Sequence, residues 1–110
     1  MSRPIDPQTS LEAMRTGGPL YAQAKAERIY CEEYRKSLKA LLMQSSKATT
    51  AAAQEKDAYS ADQYIQHLQA LRIAVEREET LRWRLVTAQT AVEIWRSQNA
   101  SNRQMDRAAA

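Results

Sequence analysis

Glycine and proline are almost missing from this chain. Two glycines (Gly17, Gly18) and three prolines (Pro4, Pro7, Pro19) all fall before residue 20 in a sequence of 110. Sheet architectures need such residues at their turns, so residues 20–110 point to helix. Two adjacent glycines also leave no way to write a glycine-rich phosphate loop or a nucleophile elbow, each of which needs glycines at fixed intervals. The one cysteine, Cys31, excludes an intrachain disulfide, and together with the one histidine, His67, it is too little soft-ligand chemistry for a zinc site. No run approaches the ~18 apolar residues of a membrane span. The start, MSRPIDPQTS, lacks the charged-then-apolar order of a signal peptide, so the expectation is a soluble, unexported, cytoplasmic chain with no membrane contact. Charge of one sign is also scarce: 16 Lys plus Arg against 13 Asp plus Glu give +3 and a pI near 9.2, which permits nucleic-acid contact but is a weak electrostatic footprint. The length allows one small domain at most.

What is present is helical periodicity. Residues 1–18 read as an irregular N-terminal arm, with Thr9 and Glu12 at capping-box spacing and Gly17-Gly18 as a stop. Pro19 after Gly18 has the form of a helix start, because proline at the first helical position loses no hydrogen bond. Helix A is therefore expected over about 19–45, with a seam stepping by four and three: Leu20, Ala24, Glu27, Cys31, Tyr34, Leu38, Leu41. Residues 46–59 lack apolar periodicity and read as a connector with room for a helical turn around Ala51 to Lys56. Ser60 opens Ser-Ala-Asp-Gln, where the serine can cap, Gln63 can reach back and Asp62 favours the positive helix end. From there a seam runs Tyr64, His67, Leu71, Ala74, Glu78, Leu81, Leu85, Ala88, Val92, Trp95, Asn99 without a slip, giving helix B over about 61–104, on the order of 65 Å. Residues 19–105 form the expected hairpin domain, and 106–110 a disordered tail.

The predicted fold class is all-α: a long antiparallel two-helix hairpin, coiled-coil-like, with an irregular N-terminal arm, completed by oligomerisation. If Leu41 packs near Tyr64, Glu27 falls opposite Glu78, and Arg82 or Arg28 is expected to neutralise the two carboxylates unless both bend out to solvent. Helix A, on the order of 40 Å, is too short to cover helix B. Some of residues 90–104 would overhang, and the C-terminal half of helix B carries Trp83, Val86 and Ile94 on the face away from the seam, with Thr87 and Thr90 between them. An exposed tryptophan beside aliphatics marks an interface, so a homo-oligomer is expected, with a dimer first, in contact through Trp83, Val86, Ile94 and Ile29 of helix A.

The residues that could carry chemistry have simpler readings. Glu76, Glu78 and Glu79 could suggest metal carboxylates, but helical di-metal sites need Glu-x-x-His, and three residues before His67 stands Tyr64. No metal and no cofactor are expected. Arg72 with Glu76, and Glu78 with Arg82, sit at the i,i+4 spacing of a solvated, ion-paired face. His67 on the seam reads as a packed side chain and Cys31 as a small apolar one; no enzyme constellation remains. The stronger candidate is Arg82-Trp83-Arg84 with Trp95-Arg96 and Arg103, where aromatics interleaved with arginines can stack bases and neutralise phosphates. The simpler reading puts Trp95 in the seam and Trp83 against a second subunit. Helix A adds Lys25, Arg28, Arg35, Lys36 and Lys39, which read as a solvated face.

Tyr64-x3-Leu68-x2-Leu71, then Glu78-Glu79-x-Leu81-Arg82-Trp83, then Glu93-Ile94-Trp95-Arg96-Ser97 and Ala100-x2-Arg103 form a pattern that resembles a group of short helical proteins encoded by tailed bacteriophages and prophages. Tyr34 to Leu42 and the connector Ala53-Gln54-Glu55-Lys56-Asp57-Ala58-Tyr59 are similar too, so the resemblance covers about residues 20–104. It implies a phage origin, the cytoplasm of a bacterial host, and an accessory role in phage DNA recombination or replication, with a phage or host protein of that machinery as partner. It assigns no site residue. The expected function is thus a non-catalytic helical interaction protein; the alternative is a sequence-tolerant single-stranded DNA binding protein using Arg82, Arg84, Arg96 and Arg103. The sequence leaves open whether nucleic acid is bound directly.

Overall fold

The computed structural model describes residues 4–109. It is all-α, a helical hairpin built from α1 (Pro7–Ser45), α2 (Ala51–Ser60) and α3 (Asp62–Ala109), with no strand among the described residues. Two compact units share these helices: Ala22–Glu79 forms one, and the chain up to Tyr21 joins the chain from Thr80 onward in the other. Within Ala22–Glu79, partners step back along α3 as they step forward along α1, from Arg28 with Glu78 to Cys31 with His67. That is the antiparallel pairing of a hairpin.

Most of the expected irregular arm is helical; its residues 1–3, like residue 110 of the expected tail, lie outside the described residues. Residues 7–18 are helical, and α1 passes without a break through Gly17, Gly18 and Pro19. Asp6, not Thr9, caps it: its carboxylate accepts from the Gln8 N–H (3.0 Å) and the Thr9 hydroxyl (2.9 Å). Pro7 fills the first helical position, so the Pro-at-N1 rule holds at Pro7 rather than Pro19. Gly17 has a packing reason: a Cβ there would lie 3.2 Å from Leu85 Cδ2, so the missing side chain lets the α3 side chain come close. Nothing lies within 4 Å of a Cβ at Gly18.

The connector contains a full helix rather than a single turn. Thr50 caps α2 by accepting from the Ala53 N–H (3.2 Å), and the helix presses one residue, Ala58, into the core at 0% exposure. One buried position in ten residues produces no periodicity to read. Ser60 does not cap α3. It ends α2, with its hydroxyl donating back to the Lys56 carbonyl (2.9 Å), while extended Ala61 separates the helices and its carbonyl accepts from Tyr64 and Ile65. The expected disordered tail is also helical as far as Ala109.

On α3 every expected seam position from Tyr64 to Asn99 is buried or half-buried. On α1 the seam is shifted in phase. Ala24, Cys31 and Leu38 are buried as expected, but Leu20, Glu27, Tyr34 and Leu41 face solvent, and their places are taken one residue on by Tyr21, Arg28, Arg35 and Leu42. Two arginines, Arg28 and Arg35, thus occupy half-buried seam positions.

Candidate interaction surfaces

The phase shift settles the charge layer. Arg28 supplies the neutralising cation: Nε and Nη2 donate to the two oxygens of Glu78 (2.6 and 3.1 Å), and Nη1 donates to Glu32 (3.0 Å). Glu78 is buried at 7% exposure, and its hydrogen bonds hold the Arg28 guanidinium even further above its ordinary pKa. Glu27 bends to solvent and accepts from the Cys31 thiol at 3.7 Å. Burial first, and the Glu27 charge second, push the Cys31 pKa up. His67 Nε2–H donates to the Cys31 carbonyl (2.6 Å), which fixes the tautomer, and its ring meets Tyr34 edge-on at 5.3 Å. A groove of about 590 Å³ opens beside this pair, lined by Leu38, Leu41, Leu42 and Gln66 among others.

In the other unit, Trp83, Val86 and Ile94 do come together. With Thr87, Thr90, Ala91 and the incoming Ile5 they line a groove of about 370 Å³. Trp83 is 56% exposed and Ile94 44%. Thr87 donates to the Trp83 carbonyl (2.8 Å), and the Arg82 guanidinium lies 4.7 Å from the indole centroid, covering that ring with a cation–π contact. Trp95 is half-buried in the seam. Ile29 belongs to the Ala22–Glu79 unit, exposed like its neighbour Tyr30, whose ring stacks on Tyr34 at 6.0 Å.

The four arginines do not share one face. At about 100° per residue, Arg96 and Arg103 lie within about 60° of Arg82 round α3, whereas Arg84 lies about 200° from it, so a phosphate-tracking stripe would include three of them and leave Arg84 out. Arg84, Arg96 and Arg103 are exposed and Arg82 half-buried.

A cluster that composition did not single out sits between α1, α2 and α3. Lys39 donates to Glu55 (2.9 Å) and lies 4.8 Å over the Tyr59 ring, which meets Tyr64 edge-on at 5.2 Å. Tyr59, then Glu55, raise the Lys39 pKa, while Lys39, then Tyr59, hold the Glu55 carboxyl below its ordinary range. The spacing of Arg35, Lys36 and Lys39 was the available signal, but the side chains they meet come from α2, which the sequence hid.

Among the described residues no group of three His, Cys, Asp or Glu is placed to hold a metal ion, and no helix is long and apolar enough to cross a membrane. Comparison with protein-family models, with curated proteins and with solved structures gives no match.

Proposed function

We propose that the chain is a non-catalytic helical interaction protein that presents the Trp83–Ile94 face of α3 to a protein partner, as an accessory factor of phage DNA recombination or replication. The observation that carries the protein-contact reading is Trp83 and Ile94 standing open on one mostly apolar groove, with Arg82 against one face of the indole. The phage part rests on the resemblance over about residues 20–104 alone.

The first partner is a second copy. A two-fold axis between residues 88 and 89 sets Trp83 against Ile94, Val86 against Ala91 and Thr87 against Thr90, so the stripe is self-complementary when antiparallel. Arg82 and Glu93 lie on one flank, within about 20° round the helix, and the same axis brings Glu93 of one copy within about 3 Å along the axis of Arg82 of the other. Burying Trp83 and Ile94 twice contributes on the order of 25 cal/mol per Å² before association costs.

Sedimentation of the full chain at micromolar concentrations tests this. The expected result is a dimer that Arg82→Glu or Glu93→Arg weakens and the double exchange restores; a monomer throughout refutes it. The rival, direct single-stranded DNA binding, predicts tryptophan quenching by oligonucleotides that fades with salt in proportion to the phosphates contacted and is lost on replacing Arg82, Arg84, Arg96 and Arg103.

A further inference from the structure

We infer that the cleft formed by Arg35, Lys36, Lys39, Tyr59 and Tyr64 binds a phosphate group. The seam of α1 carries two half-buried arginines seven residues apart, Arg28 and Arg35. Arg28 is answered by two carboxylates, Glu78 and Glu32. Arg35, in the equivalent position one heptad on, has no hydrogen bond or ion pair among the described residues. Arg35 instead lines a cleft of about 320 Å³ together with Lys36, Lys39 and the two tyrosines.

A guanidinium does not give up its charge, and a charge drawn partly out of water without a counter-ion is costly. The fold thus holds a cation whose partner it does not supply. The neighbouring charges do not supply it either. Glu55 is committed to Lys39, and Glu33 pairs with Lys36 at 3.4 Å with both side chains well exposed, a contact of little strength. Three cations therefore line the cleft; two of them have a carboxylate beside them, Glu55 on Lys39 and Glu33 on Lys36, and Arg35 has none. Lys39 is held in place by Glu55 and the Tyr59 ring and keeps donors to spare, since an ammonium has three. The planar fork of Arg35 suits two oxygens of a tetrahedral anion, and a phosphate has a third for a lysine, which a carboxylate lacks. The volume is at the lower end of small-ligand sites, about 300–1,000 Å³, which admits a phosphate with part of the group it esterifies. This site uses none of the residues of the Trp83 face and does not depend on the function proposed above.

The test is titration of the full chain, at low salt, with inorganic phosphate, a nucleoside monophosphate and an unphosphorylated single-stranded oligonucleotide, followed by calorimetry and by thermal stability. The expected result is saturable binding of at least one probe, a rise in melting temperature with that probe, and a loss of affinity of tenfold or more in Arg35→Gln. Lys36→Gln, at an exposed position, is expected to lose a few-fold and keeps the test valid should Arg35→Gln fail to fold. Binding of the two small probes alone identifies a free or terminal phosphate; binding of the oligonucleotide with the same Arg35 dependence identifies a backbone phosphodiester; both support the site. No saturable binding of any probe up to ~10 mM, or binding that neither variant weakens, overturns it.

Discussion

Running α1 through Gly17-Gly18-Pro19 is locally unfavourable, and that makes it measurable. In a helix interior a glycine costs about 1 kcal/mol and a proline about 3 kcal/mol relative to alanine, because glycine loses more backbone entropy and proline lacks the N–H that would donate four residues back, here to Arg15. Both glycines and Pro19 lie well inside Pro7–Ser45. Gly18 has open space at its Cβ position, so Gly18→Ala is expected to stabilise by up to about 1 kcal/mol. Gly17→Ala gains the same propensity but must move the Leu85 methyl at 3.2 Å, so its gain is expected to be smaller. Pro19→Ala restores the hydrogen bond and removes the ring clash; allowing for the looser unfolded chain, about 2 kcal/mol remains. For a chain of this size that is a rise in Tm of roughly 10 °C. Urea and thermal melts followed by circular dichroism at 222 nm read all three. The opposite architecture, an irregular arm with Pro19 at the first turn of a shorter helix, predicts that Pro19→Ala is neutral or destabilising, since proline is favoured there. That outcome would refute the continuous helix.

Three further outcomes follow from the contacts. Arg28→Met takes the two-pronged Arg28 contact away from buried Glu78 and is expected to destabilise more than the double variant Arg28→Met/Glu78→Met, as melts of the full cycle would show; equal losses would mean that Glu78 is satisfied without Arg28. Glu55 has a depressed pKa in the fold, so its contribution is complete above the ordinary glutamate pKa of about 4.3 and is lost as pH falls through its lower folded value. Amide exchange in α2 is therefore expected to rise in acid, and Glu55→Gln should remove the pH dependence while leaving α2 looser at neutral pH. Cys31 is buried with a raised pKa, so it should react with a thiol reagent near pH 8 only as fast as the chain opens, with urea accelerating it steeply; rapid labelling of the native chain would contradict its burial.

Most of α3 was legible because its seam is apolar at eight of eleven positions, with His67, Glu78 and Asn99 the polar ones, and because Asp62 marks its first turn, although Ser60, read as its cap, ends α2 instead. α1 was legible only at alternate positions. Reading apolarity residue by residue favoured Leu20, Tyr34 and Leu41 over Tyr21, Arg35 and Leu42, and a one-residue shift at every second contact leaves a four-three rhythm intact, so the pattern itself gave no warning. The start of α1 failed for a related reason. Pro7 and Pro19 both fit the first helical position, and the deciding group, the Asp6 carboxylate bonded to Gln8 and Thr9, is a contact rather than a composition. The Trp83, Val86 and Ile94 grouping was legible since it needs only helical spacing. The Arg35 cleft was not, because two of its walls come from elements 24 and 29 residues away in sequence.

The shifted phase also explains how a thin two-helix core keeps one alignment. Small residues dominate the buried set: Ala24, Cys31, Ala58, Ala74 and Ala88. Side chains of this size pack almost as well after a slip by one heptad, so apolar burial alone would leave the pairing of α1 with α3 poorly specified. A charged layer does specify it. Sliding α3 by seven residues within Ala22–Glu79 would draw Glu78 away from Arg28 and break both hydrogen bonds of a part-buried charged layer, a cost that no alanine contact offsets. A single polar pair at a seam position is known to fix register in coiled coils at some expense of stability, and Arg28 with Glu78 occupies such a layer here. Arg35 has the same heptad position without the acid. It therefore adds nothing to register, and its charge is directed to the cleft instead.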